Sequence, residues 1–266
     1  MINNGPESGN RVAEWIYAFL AALQFFTRIP IDGLPAETYT EQGKQRSAML
    51  LPLVGVVTGS VTVFLFVVSG YLGLPALVSA TIAIGGSLLL TGAFHEDGLA
   101  DFFDSCGAPD RQRALEIMRD SRIGTFGSAA LWISLGIRTF ALASIPLHHL
   151  AASILCAHVL GRTSSLYLAY RLPYARSTPS LNKTMIDVIG RRELAGGLLL
   201  SALICLATWP GAIPCAVFFI LGALITLFTE RIYKNRFDGI TGDCLGATNQ
   251  MIETALLTAA TSTYLA

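Results

Sequence analysis

The chain has 266 residues, of which 53% are hydrophobic and only 14% are charged. Soluble domains carry roughly 25% charged residues, so this composition excludes an ordinary soluble domain. The formal net charge is zero and therefore points to no class of partner. The five cysteines form no CxxC pair, which argues against a zinc site or a disulfide framework.

Four stretches of the chain are nearly free of charge. Residues 51–94 and 194–229 contain no Asp, Glu, Lys or Arg at all. Residues 123–161 contain only Arg138, and residues 244–266 contain only Glu253. A membrane-spanning helix needs roughly 20 apolar residues, so each of the first three stretches has room for two spans.

The sequence therefore predicts an all-α, polytopic transmembrane helix bundle that forms a single integral membrane domain over residues 1–266, with a polar tail at 1–11. Segment 12–27 is short and contains Glu14, so it is predicted to be an interfacial or re-entrant helix. Turns rich in glycine, proline and other helix-breaking residues separate about seven predicted spans. These lie near residues 51–69, 74–94, 128–145, 150–168, 195–209, 213–229 and 247–265.

The distribution of Lys and Arg predicts an orientation. The tight turns near residues 70–75, 145–150 and 209–214 contain neither residue, whereas the alternate loops contain nearly all of them. Positive residues stay on the cytoplasmic side, so the N-terminus and the long loops are predicted to be cytoplasmic. Because the external turns are too short to hold a site, function is expected at the cytoplasmic ends of the helices.

A cluster of acidic residues follows the second predicted span, where residues 95–104 read HEDGLADFFD. In a helix, Asp97, Asp101 and Asp104 share one narrow face, and we call these three residues the acidic trio. Their mutual repulsion opposes helix formation, whereas a bound Mg²⁺ or Mn²⁺ relieves it. The trio is therefore predicted to ligate a metal, the alternative being a solvated acidic helix end. Glu96 lies a quarter turn away and is a ligand, a base or a solvated residue.

Residues 119–127 read RDSRIGTFG and precede another span. Arginines, hydroxyls and glycines before a helix N-terminus suit an anion such as phosphate. The alternative is that these residues only set the topology and begin the helix. The candidate substrate-binding residues are Arg119, Asp120, Ser121, Arg122 and Gly124.

A second acidic segment, residues 238–253, precedes the last predicted span and contains Asp243. Gln250 and Glu253 lie deeper and are expected to line a polar cavity. Arg138 lies in the middle of a span and is expected to pair with a carboxylate, for which Glu253 is a candidate. Arg162 is predicted to reach the same cavity and to contribute to substrate binding. The basic stretch 171–192 either contacts phosphate or anionic lipid or only sets the topology.

Residues 95–104 and 116–127 together resemble the signature of the cobalamin synthases, the adenosylcobinamide-GDP ribazoletransferases. Residues 25–30 (FFTRIP) and 242–247 (GDCLGA) also fit, so the matches run in order along nearly the whole chain. The resemblance implies a Mg²⁺-dependent, multi-pass enzyme of the bacterial cytoplasmic (inner) membrane, with its active site facing the cytoplasm. Such an enzyme joins adenosylcobinamide-GDP to α-ribazole, or to its 5′-phosphate, and releases GMP.

The resemblance also implies roles for the candidate residues. The acidic trio holds Mg²⁺ against the diphosphate, while Arg119 and Arg122 stabilise charge on the transferred phosphoryl group and on GMP. Glu96 or a member of the trio takes the proton from the ribazole hydroxyl. Asp243 completes the metal shell or acts as that base.

Two other functions compete with this one. A CDP-alcohol phosphotransferase shares the metal and the type of leaving group, but its signature places Ala-Arg soon after the first Asp-Gly, whereas here Ala100 is followed by Asp101. A cation transporter carries its site near the bilayer midplane, whereas these acids crowd one membrane face. No nucleic-acid-binding motif is visible, so the expected partners are the two substrates and the lipid bilayer.

Overall fold

The computed structural model describes residues 11–176, 181–209 and 211–262, and it is all-helical in these ranges, with one isolated bridge between Tyr174 and Ile240. A short 3₁₀ helix, Ala36–Tyr39, follows the first helix. The α-helices in the described ranges are α1 (Arg11–Phe26), α2 (Glu41–Met49), α3 (Leu51–Tyr71), α4 (Ala76–Thr91), α5 (Phe94–Ser105), α6 (Arg111–Ile117), α7 (Thr125–Ser144), α8 (Leu147–Arg171), α9 (Leu181–Ile186), α10 (Arg191–Thr208), α11 (Ala212–Phe237) and α12 (Gly242–Ala260).

Within the described ranges, three helices are long and apolar enough to cross a membrane, namely α3, α7 and α11. A fourth candidate arises if α4 and α5, which meet at a bend of 90°, form one broken span. The fold is therefore an all-α bundle with the apolar helices of a membrane protein, whereas the count of about seven spans is not confirmed. The predicted polar tail and the end of the last span lie partly outside the described residues.

The predicted spans 150–168, 195–209 and 247–265 overlap α8, α10 and α12, which are not among these candidate spans. Helices α8 and α12 have 25 and 19 residues and occupy the predicted positions. Both bury polar side chains inside the bundle, among them His158 and Arg162 of α8 and Asn249 and Glu253 of α12. These polar side chains lower the hydropathy of the two helices, and their burial inside the bundle makes them compatible with a membrane helix.

Helix α8 lies at the centre of the bundle and packs against α3, α10, α11 and α12. Its residues Ile154, Cys156, Ala157 and Val159 are completely buried in the main apolar core. Helix α1, predicted as an interfacial or re-entrant segment, is a 16-residue helix that packs against α2 and α3. Its depth in a membrane stays a prediction.

The turn between α4 and α5 directs the acidic segment away from the preceding helix. Gly92 and Ala93 both adopt the left-handed conformation, with φ of 66° and 55°. Gly92 ends α4, since its N–H donates to the carbonyl of Leu88. Two consecutive left-handed residues reverse the helical path, so α5 begins in a new direction at Phe94.

Candidate active site

The acidic trio lies on α5, which is a regular 12-residue helix, as the sequence predicted. Asp97 is exposed, and Asp101 and Asp104 are partly exposed. The opposite face of α5 is buried and includes Leu99 and Phe102. The apolar face thus anchors α5 in the bundle and presents the carboxylates to solvent.

The second acidic segment packs directly against the first. A Cβ atom on Gly98 would come within 2.9 Å of the carbonyl oxygen of Asp243 and within 3.0 Å of its Cα. A Cβ atom on Gly246 would lie 3.2 Å from the Cα of His95. The absence of side chains at these two glycines therefore lets the backbones of α5 and α12 touch, which brings Asp243 beside the trio.

Asp243 lies in the first turn of α12 and makes two polar contacts. The guanidinium of Arg176 donates to its Oδ2 at 2.9 Å, and the hydroxyl of Thr241 donates to the same atom at 3.1 Å. Thr241 also caps α12, because its hydroxyl accepts the N–H of Cys244. The backbone bonds from Ala175 N to Ile240 O and from Ile240 N to Pro173 O join the loop after α8 to the loop before α12, and they fix Arg176 in place.

The crowding of carboxylates is visible in the pKa of Asp101. Partial burial, followed by the charges of Asp243, Asp97 and Asp104, raises this pKa from 3.8 to about 7, while Arg176 lowers it. Burial likewise raises the pKa of Asp243. Opposite charge near these groups would reverse both shifts, which is what a bound divalent cation supplies.

The carboxylates of the trio are the hard oxygen ligands that suit Mg²⁺, and the predicted metal site stays a prediction. In the part of the chain that the structure describes, no three His, Cys, Asp or Glu side chains converge as ready-made metal ligands. Mg²⁺ commonly binds one or two carboxylates together with substrate phosphates and water. Asp97 and Asp101, with Asp243 beside them, carry such carboxylates, and their predicted metal-binding and catalytic roles stay predictions.

Asp104 makes a different set of contacts from the rest of the trio. Its Oδ2 accepts the N–H of Gly124 at 2.7 Å, and its Oδ1 accepts the N–H of Gly127 at 2.8 Å. A Cβ on either glycine would lie 2.4 Å from the carboxylate, so both glycines are needed for this approach. The anion at the N-terminus of α7 is thus the carboxylate of Asp104. The predicted role of Asp104 as a metal ligand and that of Gly124 in substrate binding stay predictions.

The segment that precedes α7 lies at the C-terminal end of α5 because of these bonds. Arg122 pairs with Asp120 at 2.6 Å and is 88% exposed. This ion pair and the bond from the backbone N–H of Arg122 lower the pKa of Asp120 to about 2. Arg119 and Ser121 are also exposed. The predicted substrate-binding segment is therefore accessible from solvent beside the trio.

Glu96 points away from the trio into the bundle. It is 7% exposed, and the guanidinium of Arg138 donates to its Oε1 at 3.0 Å. The other terminal nitrogen of Arg138 donates to Glu253 Oε2 at 3.3 Å, which confirms the expected pairing of Arg138 with Glu253. The predicted role of Glu96 as a base is not tested by this placement.

Arg162 reaches the same buried group, as the sequence predicted. Its Nη1 donates to Glu253 Oε1 at 2.9 Å, and Asn249 donates to that atom at 2.8 Å. His158 bonds Thr58 of α3 at 3.0 Å. We call Glu96, Arg138, Arg162 and Glu253 the buried ion network. Arg162 lies in this network and not among the carboxylates of the trio, so its substrate-binding role stays a prediction.

Arg176 is the site residue that the sequence pattern did not single out. It is one of several basic residues in the stretch 171–192, and nothing in its local pattern distinguishes it from a topology determinant. Its partner lies 67 positions further along the chain. Only the pairing of the loops before α12 and after α8 brings the two charges together.

Comparison with known proteins shows the family to which this chain belongs. The family model described as cobalamin-5-phosphate synthase matches residues 18–261. The adenosylcobinamide-GDP ribazoletransferase of a Polaromonas species is 36% identical, over 92% of this chain and 96% of that protein. The proteins of that name from Azorhizobium caulinodans and Syntrophobacter fumaroxidans are 36% and 34% identical, over 89% and 92% of this chain and 92% and 98% of their own lengths. No solved structure matches. Because the match spans nearly the whole chain, the chain belongs to the cobalamin-5-phosphate synthase family.

Proposed function

We propose that this protein is an adenosylcobinamide-GDP ribazoletransferase, which joins adenosylcobinamide-GDP to α-ribazole or its 5′-phosphate in cobalamin biosynthesis. A ribose hydroxyl of the acceptor forms a new P–O bond to the phosphoryl group that carries cobinamide. The bridging P–O bond of the diphosphate breaks, and GMP leaves with the electron pair. The observation that carries the proposal is the match over residues 18–261 to a family with relatives of that name.

The charges on α5 and α12 suit this reaction. Asp97 and Asp101, with Asp243 beside them, are the residues that would hold Mg²⁺. When bound, Mg²⁺ supplies positive charge to the diphosphate of the donor. Because Glu96 is occupied by Arg138 inside the bundle, the more exposed carboxylates are better placed to accept the proton of the attacking hydroxyl.

Arginine side chains beside this cluster supply charge of the opposite sign. Arg176 lies at Asp243, and the exposed Arg119 and Arg122 precede α7. Guanidinium groups bind phosphate oxygens through paired N–H donors. We assign to them the binding of the diphosphate and of the departing GMP.

We further propose that the protein is a multi-pass protein of the bacterial cytoplasmic membrane with its site on the cytoplasmic face. Arg236, at the end of α11, donates to the carbonyl of Ser105 at 2.7 Å, and Arg111 donates to the carbonyl of Phe237 at 2.7 Å. These bonds gather the ends of α5 and α11 on one side of the bundle. The same side carries many of the basic loop residues, as a cytoplasmic face requires.

The test is release of GMP from adenosylcobinamide-GDP by protein purified in detergent, with and without α-ribazole, its 5′-phosphate and Mg²⁺. Asp101→Asn is expected to lower the rate by about 100-fold or more, since it removes a carboxylate that would hold Mg²⁺ against the reacting phosphates. Asp110→Asn, at an exposed position before α6 and outside the signature segments, is the matched control and is expected to keep the rate.

Cobalamin formation that needs both substrates and Mg²⁺ supports the proposal. Absence of GMP release from well-folded protein would reject it. CMP release from a CDP-alcohol, or cation flux in vesicles, would assign the chain to one of the two competing functions instead.

A further inference from the structure

A cleft of about 600 Å³ lies beside α5, between α1, the 3₁₀ helix, α2 and α9. Its lining includes Ala21, Phe25, Tyr39, Lys44, Phe94 and Met185. Phe25, Phe94 and Met185 also line a smaller cavity that reaches Gly242 and Gly246, at the contact between α5 and α12. The cleft is therefore continuous with the region of the candidate active site.

Phe94 connects the cleft to the carboxylates. It is the first residue of α5, and Asp97 and Asp101 follow it at positions i+3 and i+7, so the three residues share one face of the helix. Asp97 lies only about 4.5 Å further along the helix axis than Phe94. A molecule that contacts Phe94 in the cleft can thus present a group to the reacting phosphates.

The inner wall of the cleft is aromatic. The rings of Phe25 and Phe94 meet edge to face, with their centroids 5.9 Å apart. The ring of Phe26 also meets that of Phe94 edge to face, at the same centroid distance of 5.9 Å. Phe25 and Phe26 begin the FFTRIP segment, which has no role in the proposed reaction mechanism. Aromatic side chains at such spacing form a surface on which a flat heterocycle stacks.

Three polar side chains of the wall are already engaged inside the protein. The amide of Gln24 donates to the carbonyl of Ile31 at 2.7 Å and accepts the hydroxyl of Tyr39 at 3.0 Å. The hydroxyl of Ser47 donates to the carbonyl of Ala18 at 2.8 Å. The wall thus offers few hydrogen bonds to the edge of a heterocycle.

Lys44 is the cationic group of the cleft. In the described part of the chain, no Asp or Glu carboxylate forms an ion pair with its ammonium group. Its side chain is partly exposed at the lining of the cleft. A positive charge that has no carboxylate partner among the described residues and lies beside an aromatic wall is suited to a phosphate carried by an aromatic ligand.

We propose that this cleft binds the acceptor nucleotide, with its benzimidazole base against Phe25 and Phe94 and its 5′-phosphate at Lys44. The inference rests on the proposed function for the identity of the acceptor. The base of α-ribazole carries methyl groups and no exocyclic amino or carbonyl groups, so it fits a wall that offers few hydrogen bonds. Guanine, the other base in the reaction, would leave its polar edge unsatisfied there.

The experiment measures binding and turnover separately. Binding of α-ribazole and of α-ribazole 5′-phosphate to the detergent-purified protein is followed by the fluorescence of the base, without donor and without Mg²⁺. Lys44→Met is expected to raise Kd and KM for the 5′-phosphate by about tenfold and to leave those for α-ribazole unchanged. Phe25→Leu is expected to weaken both acceptors by about tenfold. Neither variant is expected to change KM for adenosylcobinamide-GDP.

Lys234→Met, at an exposed position on α11, is the matched control and is expected to change none of these constants. The inference would be overturned if Lys44→Met left Kd and KM for the 5′-phosphate unchanged, or if it raised KM for adenosylcobinamide-GDP instead. Because Lys44 is partly exposed, Lys44→Met is expected to keep the fold. It therefore tests the phosphate-binding role of Lys44 even if Phe25→Leu is unstable. If the wild type releases no GMP, the proposed function fails, whereas the binding measurement still reports on the cleft.

Discussion

Asp101 and Asp104 stand three positions apart on α5, yet their surroundings differ. Asp101 is surrounded by other carboxylates, which help burial to raise its pKa to about 7. Asp104 accepts two backbone N–H groups at the start of α7. The carboxylate of Asp101 therefore needs a counter-ion, whereas that of Asp104 is already satisfied by hydrogen-bond donors of the backbone. Identical side chains on one helix face are therefore expected to respond differently to the same substitution.

The pKa of Asp101 predicts a pH dependence of stability in metal-free protein. Because this pKa is about 7 in the folded protein, whereas the ordinary value of an aspartate is 3.8, the folded protein binds more protons between these values. Stability therefore falls as pH rises from about 4 to 7. After a discount for solvent exposure, the free energy of unfolding is expected to fall by about 1 kcal/mol over this pH range, which lowers Tm by roughly 2–4 °C.

Thermal unfolding in detergent with a chelator tests this dependence. Asp101→Asn is expected to flatten the fall in Tm across that pH range, and Mg²⁺ is expected to reduce it in the wild type. Parallel curves for wild type and variant would show that Asp101 does not titrate in this window.

For Asp104 we expect a loss of stability. Asn offers one acceptor oxygen and no charge, so Asp104→Asn leaves one N–H of α7 without its partner and is expected to cost about 1–2 kcal/mol. The measurement is thermal unfolding together with GMP release. Asp110→Asn is the control, since Asp110 accepts a single N–H at the start of α6, where Asn caps equally well.

A fall in rate of about 100-fold in Asp104→Asn, with Tm unchanged, would contradict the capping role. It would instead support Asp104 as a metal ligand, as the sequence predicted. A change in Tm thus indicates the capping role, and a change in the rate of GMP release indicates the metal-binding role.

At the scale of the helix, the turn at Gly92 and Ala93 decides where the acidic residues point. A straight continuation of α4 would carry α5 along the same axis, whereas the observed bend is 90°. The span predicted from the sequence, residues 74–94, runs straight through Gly92 and Ala93, so the prediction missed the bend. The left-handed conformation of Ala93 has no local signature, because alanine otherwise favours the right-handed helix.

This turn predicts opposite effects of two small substitutions. Ala93→Gly is expected to stabilise the protein by roughly 0.5–1 kcal/mol, since it relieves the left-handed strain at φ 55°. Gly92→Ala is expected to destabilise it by about 1–2 kcal/mol, because φ is 66° and the new Cβ would lie 2.2 Å from Nε of Arg28.

Thermal unfolding of both variants checks the turn, with Gly85→Ala as the control. Gly85 lies within α4, and no neighbouring atom lies within 4 Å of a Cβ placed there. A loss of stability in Ala93→Gly would show that the left-handed turn is not strained in solution.

At the scale of the whole molecule, the buried ion network joins four helices. Glu96 lies on α5, Arg138 on α7, Arg162 on α8 and Glu253 on α12. Two acidic and two basic groups balance one another, so the charges offset one another away from water. Since Glu96 directly precedes Asp97, the network also fixes the start of the acidic helix.

We expect Glu253→Gln to destabilise the protein by about 3–5 kcal/mol. The substitution leaves two buried guanidinium groups opposite the single carboxylate of Glu96, and an uncompensated buried charge is costly. Glu116→Gln, which breaks an exposed pair with Arg113, is the control and is expected to change stability by less than about 1 kcal/mol. Equal unfolding temperatures in detergent for the two variants would contradict the role of the network.

From the sequence alone we could predict the all-α class, most of the long helices and the shared helical face of Asp97 and Asp101, and we could expect a carboxylate partner for Arg138, with Glu253 as a candidate. Helical periodicity and runs without charge depend on neighbours in the chain, and a charge in the middle of a span demands a partner, so these features can be read locally. The contacts of Arg176 with Asp243, of Asp104 with the start of α7 and of Glu96 with Arg138 could not be predicted and follow from tertiary packing. These contacts join residues 20 to 67 positions apart, and which helices touch depends on packing around α8 and on the turn at Gly92 and Ala93.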